Sequence, residues 1–166
     1  MFYDPAAFAF TAPLQQQWRA ICAEYESVTA ELVDWFEREL YGDGWKVYGL
    51  YDFPHGRPLA HNVARCPVTS ALVARHVPRH GAAGFSVLRP RTRIKPHRGY
   101  AGDFLRCHLA LKVPGGDCGL TVAGETRRWR EGEALVFDDR VEHEAWNDHD
   151  LERVVLLLDF VPDLVP

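Results

Sequence analysis

The second half of the chain is a succession of short apolar runs separated by turn residues, and this pattern constrains the fold more than any other feature. The runs cover residues 85–88, 104–113, 119–123, 126–129, 134–137 and 153–160. The turn formers between them are Gly115-Gly116, Ala123-Gly124-Glu125 and Glu131-Gly132-Glu133. Short strands at such regular spacing predict a β-barrel or jelly roll, in which closure of the sheet removes exposed edges.

The first half of the chain has helical periodicity instead. Apolar residues recur there at intervals of three and four: Leu14, Trp18, Ile21, Cys22, Tyr25, Val28, Leu32, Trp35, Phe36 and Leu40. We expect a helix over residues 13–41, broken near Glu26-Ser27, and a second one over about residues 67–76. The 166 residues are therefore predicted to form one α+β domain, 1–166. Its core over 84–161 would be a double-stranded β-helix, a jelly-roll or cupin-like barrel, supported by mainly helical residues 1–80.

Composition argues against several functional classes. The net charge of −4 lacks the basic footprint that nucleic-acid binding requires. No apolar run reaches the length of a membrane span, and no basic and then apolar segment opens the chain, so we expect a cytoplasmic protein without a signal peptide. The widely spaced cysteines form no CxxC pair, which argues against a zinc ribbon or a redox dithiol: Cys22, Cys66, Cys107 and Cys118.

Two of the eight histidines stand where a metal site on a barrel would need them. His97 lies between Pro96 and Gly99, so its backbone is restricted on one side and free on the other. His143 follows the turn after the buried run 134–137. Two histidines and one carboxylate with open positions are the signature of non-haem Fe(II) oxygenases. The sequence therefore predicts a non-haem iron centre held by His97 and His143.

The carboxylate of that signature is missing from its usual place. It normally follows the first histidine in the form His-x-Asp or His-x-Glu, and here Gly99 occupies that position. Either two histidines and waters hold the metal, or a carboxylate reaches the site from elsewhere in the chain. The candidates for the second arrangement are Asp103, Asp138 and Asp139.

Two arginines in apolar surroundings indicate an anionic ligand. Arg106 and His108 are two residues apart, so a strand places both on one face. Arg153 opens the apolar run 153–160. An arginine held in apolar surroundings needs a partner, and the carboxylates of a bound dicarboxylate co-substrate would be suitable. The alternative for Arg153 is an internal salt bridge, with Asp159 or Glu142.

Residues 85–160 resemble the catalytic core of the aspartyl/asparaginyl β-hydroxylases, which are Fe(II)- and 2-oxoglutarate-dependent oxygenases. Order, spacing and several consecutive residues agree, while residues 13–80 fit more loosely. The segments that carry the resemblance are Phe85-Ser86, Pro96-His97-Arg98-Gly99, Leu105-Arg106-Cys107-His108-Leu109, Trp129-Arg130-Glu131-Gly132-Glu133, Phe137-Asp138-Asp139, Glu142-His143-Glu144-Ala145-Trp146 and Glu152-Arg153.

The resemblance implies a role for each candidate residue. His97 and His143 match the two iron ligands, and the glycine at position 99 matches a family that leaves a water where the carboxylate would be. Arg153 matches one of the two residues that hold the distal carboxylate of 2-oxoglutarate.

The remaining matches concern the same co-substrate. Ser86 matches the second residue at the distal carboxylate. Arg106 and His108 match the residues near the metal-chelating end, and Arg106 thereby joins the two histidines in the catalytic set.

The implied activity is hydroxylation of an unactivated carbon with Fe(II), 2-oxoglutarate and O₂. The substrate would be an amino acid, an Asp- or Asn-containing peptide or a related small molecule. Phe104 stands where vertebrate members carry an additional arginine for an acidic substrate, so a small molecule is at least as suitable as a folded protein domain. The alternative function is a non-catalytic or 2-oxoglutarate-independent cupin-type protein that binds a small acid. The sequence does not indicate an oligomeric state.

Overall fold

The structure, a computed structural model, describes residues 1–162, so residues 163–166 of the predicted domain lie outside the described part. Within that part, four α-helices occur: α1 Thr11–Gln16, α2 Trp18–Ser27, α3 Ala60–Arg65 and α4 Pro67–His76. The strands are β1 Phe2–Tyr3, β2 Val33–Asp34, β3 Trp45–Tyr51, β4 His80–Leu88, β5 Thr92–His97, β6 Leu105–Lys112, β7 Cys118–Val122, β8 Glu125–Arg127, β9 Ala134–Phe137, β10 His143–Asn147 and β11 Arg153–Phe160.

The strands form two antiparallel sheets that face each other. The major sheet has seven strands in the order β1-β9-β6-β11-β4-β3-β2, and the minor sheet has four in the order β5-β10-β7-β8. Some neighbours, such as β6 and β11 in the major sheet and β5 and β10 in the minor sheet, are distant in sequence because the chain crosses between the sheets. This arrangement confirms the predicted α+β class and the double-stranded β-helix.

Strand β11 shows why the protein has three layers, which are the helices, the major sheet and the minor sheet. Val154, Leu156 and Leu158 point to the helices and pack in one apolar cluster, while Val155 packs between the two sheets in another. Successive side chains of a strand point to opposite faces, so a continuous apolar run is expected when both faces are covered. The same alternation places Arg153 on the inner face, at the end of the strand.

The predicted helix over residues 13–41 is wrong beyond Ser27. Helix α2 ends there, as the expected break near Glu26-Ser27 indicated, but the α-helix does not resume, and only short 3-10 turns follow at Thr29–Glu31 and Arg38–Leu40. Residues 33–34 instead pair with strand β3, and the Trp35 ring stacks on Trp45 with 4.8 Å between centroids. The apolar residues of this segment have a helical spacing, but cross-strand pairing and burial of the aromatic rings decide its structure. Tertiary contacts commonly override local helix propensity in this way.

The predicted division of the chain at residues 80–84 also needs correction. Residues 1–80 are not only helical support, because β3 pairs with β4 along its length and belongs to the major sheet. Strand β4 itself begins at His80, before the expected start at residue 84. The helix predicted over residues 67–76 is confirmed as α4.

A single carboxylate links helices α2 and α4. Glu24 accepts hydrogen bonds from the backbone N–H groups of Val68 and Thr69, at 2.7 and 2.8 Å, and from the Thr69 hydroxyl at 2.6 Å. The first N–H groups of a helix have no partner within it, so this carboxylate caps α4 from another helix.

We expect Glu24→Ala to lower the free energy of unfolding by roughly 2–3 kcal/mol, because hydrogen bonds to a charged group are lost and backbone donors are left unpaired. Urea denaturation followed by circular dichroism measures this loss. Glu24→Gln retains one acceptor oxygen and should therefore lose less unfolding free energy than Glu24→Ala. Equal stability of Glu24→Ala and the wild-type protein would contradict the capping role.

Candidate metal and co-substrate site

Two histidines meet where the minor sheet ends. His97 is the last residue of β5 and His143 the first of β10, and the two are direct partners in the antiparallel register. Their ring centroids are 4.2 Å apart. His97 and His143 are 46 positions apart in sequence, but they become neighbours because the end of β5 lies beside the start of β10.

The hydrogen bonds of both rings favour metal binding. Nδ1 of His97 lies 2.8 Å from the Lys95 carbonyl oxygen, and Nδ1 of His143 lies 2.9 Å from that of Val141. A carbonyl only accepts, so each Nδ1 carries the proton and each Nε2 keeps a free lone pair. Burial lowers the pKa of His143 to about 4, so this ring is neutral at neutral pH.

The six residues predicted from the sequence lie around one small cavity of about 30 Å³ between the two sheets. Apolar side chains complete its walls, among them Ile94, Leu120, Phe137 and Leu157. The predicted residues that line it are Ser86, His97, Arg106, His108, His143 and Arg153.

Arg153 is a buried cation without a carboxylate partner among the described residues. Its side chain is only 1% exposed, its guanidinium lies 4.7 Å from the centre of the Trp129 ring, and its Nε has no hydrogen-bond partner in the described chain. Burial lowers the pKa of Arg153 to about 10. A buried charge is costly unless it is paired, so this arrangement indicates an anionic ligand.

Two further donors face the same cavity. The Trp45 indole donates to Ser86 Oγ at 3.0 Å, which leaves the hydroxyl proton of Ser86 free to be donated. The Trp129 indole donates to His108 Nδ1 at 3.4 Å, so His108 Nε2 carries a proton, and this buried atom has no partner in residues 1–162. Burial, with Arg153 nearby, places the pKa of His108 well below its ordinary value, so the ring is neutral.

Arg106 differs from Arg153 because the fold already pairs it. Its Nε and Nη2 donate to Asp159 at 2.8 and 3.0 Å, and its Nη1 lies 3.1 Å from Asp139 Oδ2. These carboxylates outweigh burial and raise the pKa of Arg106. The alternative of an Arg153–Asp159 salt bridge is therefore wrong, because Asp159 lies opposite Arg106 in the sheet register.

No described carboxylate joins the histidines to form a three-residue metal cluster. Within residues 1–162, no group of three or more His, Cys, Asp or Glu side chains is arranged to hold a metal. Asp103 is exposed, and Asp138 accepts three hydrogen bonds from Arg140. Asp139 lies beside Gly99 but is held by Arg106, which favours the arrangement of two histidines and waters.

Sequence reasoning did not assign the two tryptophans that orient the pocket donors. Trp129 lies in a segment that carried the family resemblance, but its contact with Arg153 depends on how the loop before β9 folds back. Trp45 stands in a stretch without a recognised strand pattern, and only the pairing of β3 with β4 brings it to Ser86.

Comparison with known proteins identifies the family. The family model described as aspartyl/asparaginyl beta-hydroxylase matches residues 15–162. The chain belongs to this hydroxylase family. Its membership agrees with the resemblance seen in the sequence, and it makes the two histidines and the arginine-lined pocket the candidate catalytic centre.

Curated relatives align with most of the chain. An ornithine lipid ester-linked acyl 2-hydroxylase of Rhizobium tropici is 36% identical over 98% of this chain and 60% of its own length. Aspartate beta-hydroxylase domain-containing protein 2 of Mus musculus is 35% identical over 88% of this chain and 46% of its own length. The chain thus spans only part of the relatives that it matches.

A solved structure supports the fold independently. A prolyl-4-hydroxylase of Pseudomonas putida superimposes with a TM-score of 0.58 over 90% of this chain and 88% of that chain, at 18% sequence identity. This likeness shows a shared fold. None of the helices in residues 1–162 is both long and apolar enough to cross a bilayer.

We expect His97→Ala and His143→Ala each to weaken Fe(II) or Mn(II) binding by more than about 100-fold, because loss of a direct ligand exceeds the 10–100-fold effect of losing a supporting group. Anaerobic metal titration measures the binding, and circular dichroism checks the fold. Asp139→Asn is the matched comparison and should lose less metal affinity than the two histidine variants. Complete loss of metal in folded Asp139→Asn would instead make that carboxylate a ligand.

Gly99→Ala should disturb the site through Asp139. A Cβ at position 99 would lie 2.3 Å from Asp139 Oδ2, so the carboxylate would have to move away from Arg106. We expect an overpacking cost of about 1–3 kcal/mol in unfolding free energy, measured by urea denaturation. Gly115→Ala, where no atom lies within 4 Å of the added Cβ, is the control. Equal effects of the two substitutions would contradict the tight contact.

Proposed function

We propose that this protein is an Fe(II)- and 2-oxoglutarate-dependent dioxygenase. It hydroxylates an unactivated carbon of an amino acid, an Asp- or Asn-containing peptide or a related small molecule, and releases succinate and CO₂. The observation that carries the proposal is the buried Arg153, which has no carboxylate partner in residues 1–162 and lines the same small cavity as the histidine pair.

The histidine pair fits a divalent metal. Nε2 of His97 and of His143 would hold Fe(II), since both Nδ1 atoms are engaged by backbone carbonyls. The metal, with 2-oxoglutarate and O₂, supplies the oxidation of an unactivated carbon and the coupled oxidative decarboxylation of the co-substrate. Position 99 cannot supply a third side-chain ligand without displacing Asp139, because an added Cβ would lie 2.3 Å from Asp139 Oδ2.

The pocket donors fit a dicarboxylate. The Arg153 guanidinium and the Ser86 hydroxyl would hold the distal carboxylate, and His108 Nε2 would donate to the end nearer the metal. Each of these groups is buried, so each gains its missing hydrogen-bond partner when the ligand binds. Arg106 would act beside the ligand as a fixed positive charge, already oriented by Asp139 and Asp159.

The protein contributes positioning and exclusion of water. Trp45 and Trp129 fix the donors of Ser86 and His108 through indole hydrogen bonds. Apolar side chains form the rest of the cavity wall, and their low dielectric strengthens charge pairing inside it. The cytoplasmic location expected from the sequence stays a prediction.

Arg153→Met tests the proposal. Loss of one partner of a desolvated charge pair costs about 2–5 kcal/mol, so 2-oxoglutarate should bind roughly thirty-fold to several thousand-fold more weakly. The melting temperature without ligand should be unchanged or higher, since an unpaired buried charge is removed. Anaerobic titration of the Mn(II)-loaded protein beside a melting curve measures both effects.

Arg75→Met, on the exposed face of α4, is the matched control and should change neither property. An Arg153→Met variant with wild-type affinity for 2-oxoglutarate and a lowered melting temperature would remove Arg153 from the site. A wild-type protein that binds 2-oxoglutarate but never forms succinate would instead be a small-acid-binding protein without catalysis.

A further inference from the structure

The small cavity with the histidines shares part of its wall with a larger cleft. The cleft has a volume of about 250 Å³ and lies over β3 and β4, whereas the cavity has a volume of about 30 Å³. Three residues line both spaces: Ser86, Arg106 and Leu157. The side chains of this shared wall therefore set how far a ligand of the small cavity can extend toward the cleft.

Two of the three shared residues are fixed by polar contacts. Ser86 Oγ accepts a hydrogen bond of 3.0 Å from the Trp45 indole, and Arg106 is bound by two aspartates. Leu157 has an apolar side chain and is half-buried, so packing alone holds it. Leu157 is thus the apolar part of the boundary between the two spaces.

The sheet register places Leu157 between the donors proposed for the two ends of the co-substrate. Leu157 is the direct partner of His108 on β6 and of Gly84 on β4. Ser86 follows Gly84 by two residues, so it lies on the same face, diagonally across from Leu157. A ligand that reaches from His108 to Ser86 therefore passes over the Leu157 side chain.

The opposite wall of the cavity has less freedom to yield. It is formed by Ile94, Leu120 and Phe137, which are at most 5% exposed and belong to one apolar core cluster. Closely packed interiors resist the insertion of even one additional methylene group. Leu157 differs because the cleft lies beside it, so a shorter side chain at this position would open the cavity into existing space.

We propose that Leu157 is a specificity-determining residue that limits the co-substrate to a five-carbon dicarboxylate. The inference rests on the proposed function, because it concerns the co-substrate of that reaction. A six-carbon dicarboxylate held by the same donors at both ends has one more methylene, so its chain must bow out of the line between them. Leu157 occupies the side of the cavity toward which the chain would bow.

Leu157→Ala tests this role through the length of the dicarboxylate. The probes are 2-oxoglutarate and 2-oxoadipate, which has one additional methylene, titrated calorimetrically into the Mn(II)-loaded protein under anaerobic conditions. Overpacking by one methylene should make the wild-type protein prefer 2-oxoglutarate by about five-fold to 150-fold. In Leu157→Ala this preference should disappear or invert by up to about fourfold, since the longer acid then buries its additional methylene.

Leu135→Ala is the matched control. Leu135 is the partner of His108 on the other side, in β9, and it is half-buried like Leu157, but it lines neither space. This variant should keep the wild-type preference. Leu157→Val is a milder change that preserves more of the packing, and it should lose part of the preference. Circular dichroism checks the fold of each variant.

The outcomes separate this inference from the proposed function. Loss of the preference in Leu157→Ala or Leu157→Val, with the preference retained in Leu135→Ala, supports the role of Leu157. Equal affinity of the wild-type protein for both acids, an unchanged preference in the folded Leu157 variants, or an equal loss in Leu135→Ala overturns that role while 2-oxoglutarate still binds. Failure of the wild-type protein to bind either acid overturns the proposed function.

Discussion

The salt-bridge cluster around Arg106 is the interaction on which the geometry of the site depends. Arg106 on β6 binds Asp159 on β11 and Asp139 in the turn before His143. The Asp139 carbonyl in turn accepts a hydrogen bond of 2.7 Å from the N–H of Gly99, just after His97. One buried cation thus ties the two segments that carry the histidines to the centre of the major sheet.

The two buried arginines differ in their pairing, although the sequence places both in similar apolar surroundings. Arg106 is satisfied within the fold and contributes structure, while Arg153 lacks a carboxylate partner among the described residues and is available to an anionic ligand. Desolvation of an unpaired charge costs several kcal/mol, and the rest of the fold must offset that cost until a ligand arrives. Destabilisation of this kind is typical of binding sites, where groups are held ready for a partner.

A larger cleft of about 250 Å³ over strands β3 and β4 has a different physical character from the pocket around Arg153. The pocket combines a free cation with neutral donors, whereas the cleft is apolar and its one described cation is neutralised. Ser86 stands at the boundary, since it lines both.

The sequence by itself determined the barrel class, the residues of α4 and the six residues that meet around the small cavity. It could do so because strand alternation and turn residues are local properties of the chain, and because the segments that carry the family resemblance contain all six residues. It failed at residues 28–41, where a helical spacing of apolar residues became a short strand and aromatic packing against Trp45. It also left open Asp159 as an alternative partner for Arg153, whereas the sheet register pairs that carboxylate with Arg106.

Only the tertiary structure decided which charges pair and which stay free. The register of β6 against β11 sets Asp159 opposite Arg106, and the turn before β10 brings Asp139 to the same guanidinium. Burial then distinguishes the two arginines, because a desolvated cation without a carboxylate needs a ligand and a paired one does not. Register and burial arise from contacts between distant segments, so no local pattern in the sequence could specify them.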